Sequence, residues 1–262
     1  MQINMGLRYQ ITSLPTRLRL ALHVLTRRKY VPWGMNAWID VRALLKSRGA
    51  PVDSRCVVFD VGANRGQTVS DIRRWLPTVG IHCFEPMPET FARLQANVRE
   101  ASLHPYGLGG RVGTYRMDPS DHDLTARVLE ESGTDGGAGE FVDVELSTID
   151  AEMEKHDLDR IHVLKIDVEG NEMSVLEGAD RALNEGRIDL ILVEVRFGTS
   201  GESWHTPFED LLAHLEPRGF RMVGSYTNAI WPDTGINDAD VLFVRVQGQP
   251  HDFLRTPMSA AR

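Results

Sequence analysis

The chain has 262 residues, 42% of them hydrophobic and 25% charged, with a formal net charge of −8, a globular composition that excludes a disordered or fibrous protein. No apolar run approaches the ~20 residues that cross a bilayer as a helix, so a soluble protein is expected. Charge is unevenly spread: residues 1–50 hold nine Lys/Arg against one acid, a balance of +8, and the remainder therefore carries −16.

In chain order, residues 1–50 read as a basic helical extension. Leu18, Leu22 and Leu25 recur on one helical face while Arg17, Arg27, Arg28 and Lys29 add positive charge, and Val41, Leu44 and Leu45 begin a second helix. This arm either packs on the acidic body or meets anionic lipid headgroups, and it is also a candidate to lid an acceptor site or to pair two subunits in a homo-oligomer. Nucleic acid is not an expected partner, because few aromatics interleave the basic residues and the body repels phosphate. The N-terminus lacks the apolar core and cleavage site of a secretory signal, and Cys56 and Cys83 make no disulfide framework. The expected location is the cytoplasm, at the inner face of the membrane if the arm meets lipid.

Residues 51–247 read as one domain, and residues 248–262 as a tail. Short apolar runs alternate with segments of helical period, the signature of βαβ units and a mostly parallel sheet. Strands are expected at Val57–Val61, Ile81–Phe84, Ser102–Tyr106, Ile161–Ile166, Asp189–Val195, Phe220–Ser225 and Val241–Val246. Apolar stripes between them mark helices: Val69, Ile72 and Leu76; Phe91, Leu94 and Val98; Met173, Leu176, Ala179 and Leu183; Phe208, Leu211, Leu212 and Leu215. Residues 107–140 are rich in Gly, Asp and Ser, and predict a hairpin around Arg111–Met117 followed by a mobile surface loop. The last two strands, joined by a loop holding Asn228, Trp231, Pro232 and Gly235, predict an antiparallel closing pair. Cys56 and Cys83 flank neighbouring strands and read as small core residues.

The first chemical signal is VVFDVGANRGQT, Val57 to Thr68. It is a strand leading through Asp60, Gly62, Asn64 and Gly66 into a helix, so that a ligand can approach the backbone and the exposed N–H groups of the helix start. The dinucleotide fingerprint places its glycines as G-x-G-x-x-G for a pyrophosphate. Here Asp60 stands two residues ahead of Gly62; a carboxylate there repels a pyrophosphate but accepts a bond from an ammonium, which favours S-adenosylmethionine over NAD. Glu85 closes the second strand 19 residues after Gly66 and is placed to accept hydrogen bonds from ribose hydroxyls, a task common to both cofactors. Asn64 and Thr68 read either as donor-site residues or as helix caps.

On DVGANRGQT (Asp60 to Thr68), FEPMPETFARLQANV (Phe84 to Val98), STID (Ser147 to Asp150), KIDVEGNEMSVLEGA (Lys165 to Ala179), LILVEV and the closing DADVLFV, the sequence resembles the FkbM-type methyltransferases, within the class I S-adenosylmethionine-dependent enzymes. The resemblance covers roughly residues 55–246. It implies a Rossmann-like α/β fold: a seven-stranded, mostly parallel sheet with the last strand antiparallel and helices on both faces. It implies O-methylation too, commonly of sugar hydroxyls, hence a sugar-containing acceptor. The donor set is then Asp60, Gly62, Asn64, Gly66, Thr68, Glu85, Pro86 and Asp167.

An alcohol is a poor nucleophile until its proton is taken or a metal polarises its oxygen. In KIDVEG, Asp167 and Glu169 sit two apart just past a strand and point to one side if the chain stays extended, and Glu194 near the end of the next strand reaches the same space. Three such acids can hold Mg²⁺ or leave one as general base. The pattern is similar to the metal-dependent sugar O-methyltransferases of the macrocin type, which implies Asp167 as metal ligand and Glu169 as base; Glu194, by its position, is the second candidate ligand. Those enzymes place two adjacent acids after the next strand, whereas here Glu194 is followed by Val195 and Arg196. Alternatively, Glu169 and Asn171 cap the helix beginning near Glu172. His205, on the loop after the Glu194 strand, is a further candidate base, and Trp204 and Trp231 are candidate stacking platforms for a sugar. Two other functional classes stand beside the transferase: an NAD-dependent oxidoreductase, disfavoured by the glycine spacing and the lack of a Tyr-x-x-x-Lys pair, and a non-catalytic binding protein on the same fold.

Overall fold

The computed structural model describes residues 34–118, 127–129, 141–196, 206–231 and 235–246. Residues 1–33, and with them the basic amphipathic stretch, lie outside the described residues, as do Trp204 and His205. The first described element, helix α1 (Ala37–Ser47), is capped by Asn36, whose side chain accepts from Ile39 N. There follow β1 (Val57–Val61), α2 (Gln67–Trp75), β2 (Gly80–Phe84), α3 (Pro88–Asn97), β3 (Ser102–His104), β4 (Gly107–Leu108), β5 (Gly113–Asp118), β6 (Arg127–Leu129) and β7 (Val142–Ser147). The second half contributes α4 (Ile149–Lys155), β8 (Ile161–Ile166), α5 (Glu172–Glu177), α6 (Asp180–Asn184), β9 (Ile188–Arg196), α7 (Phe208–Leu215), β10 (Phe220–Trp231) and β11 (Gly235–Arg245).

Seven strands form one sheet in the order β10-β11-β9-β8-β1-β2-β3. Its pairs are parallel from β9 to β3, and β11 runs antiparallel to both β9 and β10. The last strand is therefore the antiparallel one, as expected. Strand alternation sends successive side chains to opposite faces, which builds two cores. On one face Val58, Cys83, Leu190, Leu192 and Leu242 pack with Leu45 of α1, Ile72 of α2 and Leu94 of α3. On the other, Phe59, Phe84, Ile191, Val193 and Phe243 pack with Met153, Val175, Leu183 and Leu211 of α4 to α7. Cys56 and Cys83 are free, fully buried thiols. Helix α1 precedes residue 51 in sequence, yet Ala37, Trp38, Val41 and Leu45 are buried in the first core, and Tyr226 of β10 donates to Asp40 Oδ2 at 2.8 Å.

Three elements differ from the sequence reading. Ser102–Tyr106 is not one strand: β3 ends at His104, and β4 leaves for a separate four-stranded sheet ordered β4-β7-β5-β6. The expected hairpin around Arg111–Met117 is instead strand β5, paired antiparallel to β7 and to β6; β7 lies on the far side of the glycine-rich stretch, beyond the reach of local turn signals, and β6 lies within it. The closing loop is shorter than expected, because Asn228 and Trp231 belong to β10 and Gly235 to β11, with pairing running to Trp231↔Gly235.

Candidate active site

The sheet changes direction of build-up at β1, which has β2 on one side and β8 on the other. In open α/β sheets the crevice at such a switch point, at the carboxyl ends of the strands, is where ligands bind. The turn after β1 is held in left-handed conformations at Gly62 (φ 79), Asn64 (φ 47) and Gly66 (φ 88). Gly62 N and Ala63 N both donate to Phe84 O at 3.0 Å, tying the turn to the end of β2. A Cβ on Gly62 would stand 1.8 Å from the Asp167 carbonyl oxygen, so only glycine lets the turn lie directly on the chain leaving β8. Gly66 is the N-cap of α2 and no side chain caps that helix. Asn64 and Thr68 are thus not its caps, and Asn64 Oδ1 is buried with no hydrogen-bond partner.

Asp60, the fourth residue of β1, pairs in register with Cys83 on one side and Lys165 on the other. Its carboxylate is fully buried, and neither oxygen has a hydrogen-bond partner. Lys165 Nζ lies 3.6 Å from Asp60 Oδ1 and 2.8 Å from Asp167 Oδ2, so one buried ammonium serves two acids. Burial pushes Asp60 up to about 6, against the pull of Lys165. Burial also penalises the Lys165 charge, but Asp167 and Asp60 outweigh it and its pKa is raised. Sequence reasoning gave Lys165 no role. Its signal was available: the one charged residue in the strand IHVLKI, every residue of which is buried.

Glu85 leaves β2 beside the same turn. Its Oε2 accepts from Asn64 N and its Oε1 from Met87 N, both at 3.0 Å. Burial raises its pKa while these two amides pull it down. Each carboxylate oxygen has a second lone pair, so the amides fix the carboxylate and leave it acceptor capacity. Pro86 follows, partly buried, its Cγ 3.3 Å from where a Cβ on Gly107 would stand.

Asp167, Glu169 and Glu194 come together as expected: one oxygen of each lies within 4.8 Å of the others. The backbone that does this is not extended. Asp167 N donates to Val61 O at 3.0 Å, and the chain then turns through positive φ at Glu169 (φ 53) and Gly170 (φ 106). Helix α5 starts without a side-chain cap from Asn171; Glu172 instead accepts from Gly170 N at 2.9 Å. Burial and the neighbouring Asp167 push Glu194 up to about 9, with Glu169 and Asp240 adding to the rise. Burial alone would raise Asp167 as well, but Lys165 and a hydrogen bond with Glu194 hold it below the usual range. Burial and Asp167 thus favour the protonated form of Glu194, while Lys165 favours the ionised form of Asp167. Asp240, opposite Glu194 across the β9–β11 pair, was not foreseen. A cleft lined by Glu169, Gly170, Glu194, Thr206 and Asp238 opens beside the trio. Thr206, one residue beyond His205, donates from Oγ1 to Gly170 O at 3.4 Å.

A family model of the methyltransferase FkbM domain matches residues 60–222, more than half of the chain. The chain belongs to that family. The FkbM domain as matched begins on Asp60 and ends within β10, and so contains Glu85, Lys165 and the acid trio. The hexuronic acid methyltransferase AglP of Haloferax volcanii is 30% identical over 146 residues, covering 54% of this chain and 56% of that protein. The 31-O-demethyl-FK506 methyltransferase FkbM of Streptomyces tacrolimicus is 30% identical over 199 residues, covering 64% of this chain and 73% of that protein. The 2-O-methyltransferase NoeI of Sinorhizobium fredii is 28% identical, covering 50% and 60%. The chain thus spans little more than half the length of the Haloferax protein. Among solved structures, Aeropyrum pernix fibrillarin in complex with natively bound S-adenosyl-L-methionine aligns at 15% identity and TM-score 0.44, covering 79% of this chain and 76% of that one.

Proposed function

We propose that the protein is an S-adenosylmethionine-dependent O-methyltransferase whose acceptor is a hydroxyl of a sugar-containing molecule. The observation that carries the donor assignment is Asp60, a buried carboxylate at the switch point whose oxygens lack hydrogen-bond partners. Unsatisfied buried polar atoms are costly and rare, and the ammonium at the amino-acid end of S-adenosylmethionine supplies donors of the right charge. Glu85, pre-set by two backbone amides, accepts from the ribose hydroxyls. Gly62, Asn64, Gly66 and Thr68 line the turn between them, with Pro86 beside Glu85. The bound donor contributes an electrophilic methyl group on a sulfonium. The chain's own task is to orient the acceptor oxygen, exclude water and take the hydroxyl proton. In this reading Glu169 takes it. Asp167, already paired with Lys165, and Glu194, carrying a proton, hold the floor of the cleft. The sugar assignment is supported by family membership together with relatives named for a hexuronic acid and for 2-O-methylation.

The clustered oxygens of Asp167, Glu169 and Glu194 favour a second reading, Mg²⁺ held by Asp167 and Glu194. Against it stand the ammonium 2.8 Å from Asp167, which a cation would have to displace, and the burial and neighbouring acids that favour the protonated form of Glu194. The test is label transfer from methyl-tritiated S-adenosylmethionine to uronic-acid-containing and neutral glycans, with and without added Mg²⁺. Label on a glycan hydroxyl at a rate indifferent to Mg²⁺ is the expected result. Transfer that requires Mg²⁺ selects the metal reading, and no transfer to any glycan overturns the acceptor class.

A further inference from the structure

A second cluster of titratable side chains lies outside the site described above. His82 projects from β2, His104 ends the neighbouring β3, and His156 is the C-cap of α4, which covers that edge of the sheet. One ring nitrogen from each lies within 4.8 Å of the other two. The rings of His82 and His104 stack at 5.4 Å with 6° between planes, and His156 stands edge-on to both, at 5.1 and 5.2 Å.

We propose that His82, His104 and His156 form a binding site for a divalent transition metal of the Zn²⁺ type, pinning β2 and β3 to the end of α4. His82 Nδ1 and His104 Nε2 are 3.2 Å apart, close to the ~3.3 Å edge of a tetrahedron with Zn–N bonds of about 2.0–2.1 Å. His156 Nε2 is buried and makes no hydrogen bond, its acidic neighbour being Glu152 Oε2 at 3.3 Å, so its lone pair can go to a metal. The surroundings orient the rings as outer partners of metal-bound histidines do. Tyr106 donates its hydroxyl proton to Glu152 Oε2 at 2.9 Å, so its oxygen accepts from Lys155 Nζ and from His104 Nδ1 at 3.1 Å. With its proton on Nδ1, His104 aims the Nε2 lone pair at the cluster. In the metal-free chain His82 Nδ1–H donates to that lone pair; on binding, His82 moves its proton to Nε2 and both nitrogens face the metal with no net charge change at either ring. Glu152, with Oε2 3.3 Å from His156 Nε2, places a carboxylate beside the cation. Because His104 O accepts from Glu85 N at 3.2 Å, the site also steadies the strand end that carries Glu85.

The test is titration of tag-free, chelator-treated full chain with Co²⁺, followed by its visible d–d absorption and by displacement with Zn²⁺. One equivalent giving the intense bands of a four-coordinate nitrogen–oxygen site is expected, with a rise in Tm on Zn²⁺ binding. His156→Gln, at a helix end, should abolish the bands while circular dichroism shows a folded chain, and His82→Gln should do the same. Tyr106→Phe should weaken binding roughly tenfold by freeing the His104 ring. Glu194→Gln, in the acid trio, should leave the spectrum intact. Absence of bands in the wild-type chain, bands that survive both histidine substitutions, or bands lost in Glu194→Gln would each overturn the proposal.

Discussion

The acids at the ends of β8 and β9 and the histidines against β2 and β3 answer the same force in opposite ways. Burial disfavours charge in both. Among the acids, burial and Asp167 raise Glu194 to about 9, and one lysine keeps Asp167 ionised, so the group retains net charge through a shared proton and a buried ammonium. Among the histidines, burial lowers His82 and His104 to about 4, so they stand neutral at physiological pH and need no counter-charge. The difference separates two chemistries: an ionic, proton-sharing group fit to manage a hydroxyl proton, and a set of neutral lone pairs fit for a borderline metal.

The contrast breaks most severely at Glu169. If it is the base, Glu169→Gln lowers kcat by roughly 10²–10⁴-fold while the affinity for S-adenosylhomocysteine stays unchanged, read by initial rates and calorimetry on one preparation. Next is Lys165→Met, which keeps the stem but strands the buried Asp60 and the partly buried Asp167. Removing one partner of a buried pair costs about 3–5 kcal/mol, measured by urea denaturation at neutral pH. A third experiment sharpens the comparison through pH. Glu194 and Asp60 have folded pKa values above their ordinary 4.5 and 3.8, so their stabilising contribution is complete at low pH and is lost as pH rises through about 9 and about 6. Glu194→Gln should flatten the alkaline fall of unfolding free energy. In metal-free protein His82 and His104 act with the opposite sign: depressed from 6.5, they contribute fully above that value and lose it as pH falls towards 4. His82→Gln should flatten only the acid limb. The smallest effect belongs to the core: Ile72→Val should cost about 0.5–1.5 kcal/mol and leave both limbs in place.

The main sheet was legible because its parallel strands β1, β2, β8 and β9 are short apolar runs between helical segments, and Asp60, Glu85 and the acid trio sit at strand ends that such runs define. The small sheet was not, because β5 pairs with β7 across a glycine-rich stretch and with β6 inside it, where local signals read as loop. Within the site the sequence revealed which acids converge but not how they coexist. Lys165 looks like a strand residue until register sets it beside Asp60, and Asp240 reaches Glu194 only through the antiparallel β9–β11 pairing. The histidine cluster was invisible for the same reason, its members 22 and 52 residues apart in sequence and joined only by strand adjacency and the end of α4.

The donor pocket at the β1 turn decides the cofactor. Calorimetric titration with S-adenosylhomocysteine, and separately with NAD, of the wild-type chain and of Asp60→Asn tests it directly. Binding of the homocysteine compound that is lost or strongly weakened in the variant, with no heat from NAD, is the predicted result. Equal affinity in both proteins, or binding of NAD in place of the homocysteine compound, would contradict it.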